Sequence, residues 1–463
     1  MKRSICFMFA VLSAFVLSAQ TPTQPDVATE QTVTTEEGKK IENKVIENYR
    51  RSSLYTVLVE HNNTKYDKDI AQAFMSMPIP DKFNNHDLTV KSFASTAKNK
   101  KVSAKKRGTA KDPNIKATNI FMQENDVARA LISKWFNRNP VTGAFDMGLI
   151  SERAYYDASA KAIQEADASD AGRKMLIDAG PDLIGKTFMV VNDITFIDKG
   201  EKSQKAAVGI AVLGALAGAF FGSNVSKSMN NLAVAVNEID GFRVNITSYL
   251  YRLKWNNDIL NTIYESYWVD ASTPDAARKL AYEKSDIFDM EYVGFTTTQA
   301  GITTSKSFDK RSHSEQMLAV CTRALDKSIV ELQRSYDEFK VNTPICAVDY
   351  DKKLVEAKIG LKEGVNTKYR YEVLMADESK GYRTYKRVGM LKPVAGKIWD
   401  NRYGALEEAE MHKAAAAAGK RTKSKEADAE GGDAYLTSTT FEIISGAGDI
   451  HEGMLIREAV IKH

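Results

Sequence analysis

Residues 242–255, FRVNITSYLYRLKW, constrain this chain more than any other stretch. Read as a strand, Val244, Ile246 and Leu250 fall on one face, and Tyr249, Tyr251, Leu253 and Trp255 fall on the other. Successive strand side chains point to opposite faces, so a strand apolar on both sides must be covered on both sides. KTFMVVNDITFID (186–198) sets Phe188, Val190, Ile194 and Phe196 on one face of a second strand. FDMEYVGFTTT (288–298) reads as a third that pairs with them.

The covering layers are helices. SHSEQMLAVCTRALDKSIVELQRSYDEF (312–339) repeats Met317, Cys321, Leu325, Ile329, Leu332, Tyr336 and Phe339 at three- and four-residue steps, a core-packing stripe that calls for no cofactor. SSLYTVLVE (52–60) reads as a strand, and DKDIAQAFMSM (67–77) as a helix stopped by Pro78 and Pro80. NDVARALISKWF (125–136) reads as a helix capped by Asn125 or Asp126. Two more follow, 151–167 with Ser151 as cap and 169–180 ended by Gly180 and Pro181. Between them and the first strand lies KNKKVSAKKRGTAKDPNIK (98–116), read as a solvated basic loop because no aromatic residue is interleaved.

After Pro344 the rhythm changes to short strands. In KYRYEVLM (368–375), Tyr369, Tyr371, Val373 and Met375 alternate with Lys368, Arg370 and Glu372. Strand candidates recur in KLVEAKIGL, YRTYKRVGM, KIWDN, TTFEIIS and GMLIREAVI, joined by the turn sequences EGVN, DESKG, KPVAG and SGAGD. This rhythm predicts a small barrel of SH3-like type, interrupted by a solvated insertion at 412–433, part helix and part disordered.

The first residues, MKRSICFMFAVLSAFVLSAQ, combine a positive n-region at Lys2 and Arg3 with an apolar run. Residues 1–19 therefore read as a signal peptide of an exported chain, and 20–38 as a disordered leader. Losing Lys2 and Arg3, with no acid beside them, takes the net charge from +4 to +2. That near-neutral balance speaks against a nucleic-acid partner. The expected fold class is α+β and multidomain. Its parts are an N-terminal α/β domain (39–185), a β-rich domain (186–340) and the barrel (345–463). The second of these holds an apolar insertion at 206–222.

GPDLIGKT (180–187) spells the phosphate-loop pattern through Gly180, Gly185, Lys186 and Thr187. Such a loop follows a strand and opens a helix, whose first-turn N–H groups hold the phosphates. Here a helix precedes and a strand follows. Pro181 lacks an N–H, and Asp182 adds negative charge. The stretch therefore reads as a joint, with Gly180–Pro181 ending a helix and Leu183 to Lys186 opening a strand, and no nucleotide or other cofactor is expected. The histidines, His61, His86, His313, His412, His451 and His463, show no metal-ligand spacing, and no catalytic motif is present. In an exported chain Cys321 and Cys346 either form a disulfide or stand as two separate thiols. AAVGIAVLGALAGAFFG (206–222) stacks Gly214, Gly218 and Gly222 on one helix face, a glycine-zipper surface for helix packing or membrane contact. At about 25 Å it is short for a bilayer, so burial inside the protein is the competing reading.

From AKIGLKEGV through YRTYKRVGM to GDIHEGMLIRE, the C-terminal part resembles the small barrels of flagellar assembly T-proteins. SSLYTVLVE with its following helix is similar to the α/β domains of curli-secretion and TolB-like envelope proteins. DAGPDLIGKTF and KIWDNRYGALEEAE look like stretches of uncharacterised exported Gram-negative proteins. These resemblances imply a periplasmic or outer-membrane-associated protein that binds or assembles with other envelope proteins or with itself, and they transfer no site residues. A membrane-inserting oligomer subunit using 206–222, and an enzyme acting on an envelope polymer, are the other expectations.

Overall fold

The computed structural model describes residues 52–62, 66–80, 82–95, 105–157, 183–197, 243–301, 311–377, 384–417 and 432–459. All of them belong to one packed unit, residues 43–463. The expected signal peptide, the leader, most of the 151–180 helices, Gly180 and the apolar insertion with Gly214, Gly218 and Gly222 lie outside them.

Strand β1 (Ser52–Glu60) is buried on both faces almost throughout. Helix α1 (Asp67–Ser76) follows it, then the short strands β2 (Phe83–Asn85) and β3 (Ser92–Ala94). Helices α2 (Pro113–Glu124), α3 (Val127–Trp135) and α4 (Gly148–Asp157) come next. The sheet is completed by β4 (Thr187–Phe196), β5 (Arg243–Leu253) and β6 (Met290–Gly301), with α5 (Asn257–Thr262) and α6 (Ala276–Glu283) between the last two. Its order is β2-β1-β4-β5-β6, with β3 also on β1. Strands β1 and β4 run parallel, and β4, β5 and β6 are antiparallel.

The two-faced strands behave as their alternation requires. Leu54, Phe188, Val190, Ile194, Val244, Ile246 and Leu250 pack under α1 and under helix α7 (His313–Ser335). Tyr55, Val57, Met189, Val191, Tyr249, Tyr251 and Leu253 pack on the other side with Leu131, Ile132 and Trp135 of α3. The whole expected stripe, from Met317 to Phe339, joins the first cluster, although α7 ends at Ser335 and Phe339 lies in a separate 3-10 turn, Asp337–Phe339. Each large apolar side chain so buried contributes roughly 1.5–3 kcal/mol.

Several expectations are corrected. The boundary drawn at 185/186 runs through one sheet, because β1 pairs with β4 over Ser53–Leu58. Parallel pairing between segments this far apart leaves no local signature. The basic stretch is not wholly a solvated loop. Its end forms the N-terminus of α2, with buried Asp112 accepting from Asn114 N. Asp126 precedes α3 in a left-handed conformation without a side-chain cap. Ser151 lies inside α4, which already begins at Gly148.

Strands β7 (Thr343–Asp349), β8 (Leu354–Ala357), β9 (Tyr371–Asp377), β10 (Thr384–Pro393), β13 (Thr439–Ser445) and β14 (Leu455–Glu458) close into a six-stranded barrel. KIWDN does not join it. Strand β11 (Ile398–Trp399) pairs instead with β12 (Gly432–Asp433), and helix α8 (Ala405–Ala417) lies between them. The alternation in β9 holds for Tyr371 and Val373 but fails at Met375, which is exposed while Leu374 is buried against Leu455. The pairing with β14 stops at Leu374, so Met375 lies beyond the closed wall. A bulge in β10 between Arg387 and Gly389 falls at the same level. Gly389 is required there, because a Cβ would come within 2.7 Å of Ile450 Cδ1 and 2.8 Å of Ser445 O.

Helix α7 is also the wall shared with the barrel. Arg334 Nε and Nη2 grip the Glu458 carboxylate at 2.9 and 3.0 Å, and Nη2 reaches Gly364 O at 3.0 Å. Its guanidinium lies 4.4 Å from the Tyr369 ring centre. Burial works against the charged Arg334, but Glu458 outweighs it and holds the proton more firmly than usual. Arg323 joins α8 through Glu408 at 2.8 Å and Tyr403 O at 3.0 Å.

Candidate functional site

Open α/β sheets place ligands outside the carboxyl ends of their parallel strands. At that end of β1 and β4 the fold gathers polar side chains from four elements. His61 follows β1, and Asp193 lies on β4 one alternation past Val191, so both face the α2 side of the sheet. His61 Nε2 meets Asp193 Oδ1 at 2.7 Å. Asn114, in the first turn of α2, donates from Nδ2 to Asp193 Oδ2 at 2.7 Å and to Tyr249 OH at 3.4 Å. Tyr249 OH in turn donates to Asp112 Oδ2 at 2.9 Å. Asp112 also accepts from Gly108 N at 2.8 Å and from Asn114 N at 2.9 Å.

The chain of bonds runs inward from a partly exposed edge. The His61 and Asp193 side chains are 17% and 13% exposed, whereas Asp112, Asn114 and Tyr249 are fully buried. Burial alone would lower the pKa of His61. The hydrogen bond that His61 donates to Asp193 and the charges of Asp193 and Asp67 outweigh it, so the net shift is upward. Burial, then Asp112 and Asp193, push the Tyr249 phenol well up. It therefore stays protonated and serves as a donor. Asn114 Oδ1 is buried without a hydrogen-bond partner.

The loop before α2 fits onto β6. Arg107 Nη1 donates to Thr297 Oγ1 at 3.3 Å, and Gly108, with φ +71°, sits where a Cβ would strike the Phe295 ring at 2.2 Å. Both carboxylates thus bind residues 107–114 across the strand ends. The arrangement can hold a charge, pass a proton along its bonds, and lock the loop. Among the described residues, no group of three or more His, Cys, Asp or Glu could hold a metal ion.

The residues singled out from the sequence lie elsewhere. Leu183 and Ile184 are helical, Gly185 and Lys186 form a turn, and Thr187 begins β4, so the strand opens later than expected. The carbonyls of this turn are engaged: Lys186 O accepts from Ser53 N at 3.0 Å, and Gly185 O from Arg252 Nε at 2.9 Å. Thr187 Oγ1 is buried and accepts from Trp135 Nε1 at 2.7 Å. Cys321 and Cys346 stand as two separate thiols, and the disulfide alternative between them is not formed. Cys321 is in the α7 core stripe, where burial pushes it up to about 12, and Cys346 Sγ donates to Glu356 O at 3.3 Å. Among the described residues no helix is long and apolar enough to cross a membrane.

The sequence reading missed the network itself. Its traces were a lone acid inside an apolar strand, Asp193 in TFMVVNDITF, and the D-P-N start of a helix at 112–114. No protein-family model matches the chain, and no curated protein matches it.

Proposed function

We propose that this is an exported cell-envelope protein that binds or assembles with a protein partner and has no catalytic activity of its own. The observation that carries this reading is the far end of the barrel. Strand pairing puts the starts of β7 and β9 and the end of β14 at one end, beside Arg334 and α7. The opposite end carries the β7–β8 turn, the end of β9 and the end of β13. There Tyr350, Met375 and Ile444 are 61%, 44% and 52% exposed. Lys353, Lys386, Arg387, Asp351 and Glu442 are exposed around them, and Lys352 pairs with Asp349 at 2.9 Å. An apolar centre with a mixed charged rim is a common protein-docking composition. The α7 brace supports this reading, since a barrel fixed to a sheet domain presents that end rigidly. So does the polar network, whose carboxylates are engaged with the fold itself. The signal-like first residues support export.

In-cell photo-crosslinking tests it. A photo-reactive residue at Tyr350, Met375 or Ile444 should give a discrete adduct in the envelope fraction, and one at exposed Val141 on the sheet domain should not. Adduct patterns identical at all four positions, together with cytoplasmic retention, would sink the reading. The membrane-inserting alternative rests on Gly214, Gly218 and Gly222 in the sequence. Deleting 206–222 would then release the protein from membranes while the rest of the chain stays folded.

A further inference from the structure

At the amino end of the same parallel strands the fold buries a cation whose hydrogen-bond partners include no acid. Arg153, on α4, is 8% exposed. Its Nη1 donates to Ser53 Oγ at 2.7 Å and to His86 Nδ1 at 2.9 Å, and its Nη2 donates to Asn85 O at 3.1 Å. The guanidinium lies 4.4 Å from the centre of the Trp135 ring. Every one of these partners is neutral. His86 is completely buried with Nε2 on Leu131 O at 2.9 Å, which leaves Nδ1 as the acceptor for Arg153. Burial, then Arg153, hold His86 down to about 3, so it carries no charge at neutral pH.

The surroundings add positive charge. Lys134 Nζ reaches only a backbone carbonyl, Asp87 O, at 2.6 Å. Burial first, then Arg153 and Lys91, depress Lys134, while Asp87 opposes them. Asp87 is the nearby half-buried acid, and it is committed: Oδ1 accepts from Thr56 N at 2.9 Å and Oδ2 pairs with Lys91 at 2.6 Å. Glu152, next to Arg153, is exposed. Three cations, Arg153, Lys134 and Lys91, therefore face two carboxylates, Asp87 engaged with Lys91 and the exposed Glu152, whose charge favours the Arg153 cation without a hydrogen bond to it. A guanidinium has five N–H donors in a fixed fork, and three are used here. Burying a charge without a hydrogen-bonded counter-ion is costly, and a bound anion would offset that cost.

We propose that the amino end of β1 and β4 is an oxyanion-binding site, in which the unused donors of Arg153 take a carboxylate or phosphate group and Lys134 supplies the second charge. The pair of donors left on a guanidinium matches two oxygens of either group. Exposed Asn85, whose carbonyl Arg153 already holds, marks the side from which a ligand enters.

The test is calorimetric titration of the full chain with inorganic phosphate and, separately, with acetate, at constant ionic strength in chloride. Saturable one-site binding of one of them is expected, and the arm that saturates names the class. Arg153→Lys keeps the charge but loses the fork, so affinity should fall about tenfold or more with an unchanged circular dichroism spectrum. Should that variant fail to fold, Lys134→Gln should lower affinity at least threefold and leave the fold intact. The absence of saturable binding of either anion to the wild-type chain would overturn the proposal, as would binding unchanged in both variants. Arg153 would then be a structural cation held by Trp135 and neutral acceptors.

Discussion

The two ends of the β1–β4 pair solve the burial of charge in opposite ways. At the carboxyl end, Asp193 and Asp112 meet donors from His61, Asn114, Tyr249 and the 107–114 backbone. At the amino end, Arg153 meets a hydroxyl, an imidazole, a carbonyl and an indole face. A carboxylate surrounded by N–H donors from several elements ties those elements together. A guanidinium surrounded by neutral acceptors is solvated but not neutralised. The first arrangement is complete within the chain, and the second leaves two guanidinium donors unused.

The largest effect should come from breaking the complete end. Asp112→Ala removes the cap of α2 and the acceptors of Gly108 N and Tyr249 OH at once. Each buried donor left without its acceptor costs roughly 1–3 kcal/mol. Urea unfolding should show that loss. A change below about 1 kcal/mol would mean that the network is incidental to the fold.

The two ends should also part company with pH, because their histidines are shifted in opposite directions. His86 is held near 3, below its unfolded value, so the unfolded chain binds the extra proton. Its contribution is complete above the unfolded pKa of 6.5 and declines as the pH falls toward 3. Between pH 6 and 4, wild-type stability should fall about 1.4 kcal/mol per pH unit more steeply than that of His86→Gln. Parallel slopes would show that His86 is not held neutral. His61 has the reverse sign. Its folded pKa is raised, so its contribution is complete below 6.5 and is lost as the pH rises through the folded value. His61→Gln should flatten that alkaline loss, worth about 1 kcal/mol or less for a pair open to solvent at one edge.

What the sequence shows of this molecule follows from periodicity. The faces of β4 and β5 and the stripe of α7 are legible because burial repeats at two or at 3.6 residues, and Phe188, Tyr249 and Leu325 all lie where that repeat puts them. The barrel strands are legible for the same reason up to Val373; closure ends one residue later, at Leu374, and beyond it the alternation loses its cause. The single sheet was not legible, because β1 meets β4 across more than a hundred intervening residues. Nor were the two polar ends. His61 and Asp193 are 132 positions apart, and Arg153 and His86 are 67 apart. No local pattern marks such pairs. His86, which shows no metal-ligand spacing in the sequence, is wholly buried.

The smallest effect is expected where the sequence was most suggestive. Lys186 belongs to a G-x-x-x-x-G-K-T match that sits at the amino end, one residue before the Thr187 that anchors Trp135 beneath Arg153. Proximity to a cationic end invites the reading that the loop and Arg153 share a phosphate. The backbone opposes it. In a phosphate loop the N–H groups converge on the anion and a helix continues behind them. Here Lys186 N is bonded to Leu183 O at 3.0 Å, Gly185 O and Lys186 O face side-chain and backbone donors, and a strand follows. Lys186→Ala should therefore leave ATP affinity at the background level of the wild type. It should also leave phosphate affinity at Arg153 within about twofold, since a lysine outside the site changes only screened long-range charge. Saturable ATP binding that disappears in Lys186→Ala would join the loop to the amino end and make that end a nucleotide site.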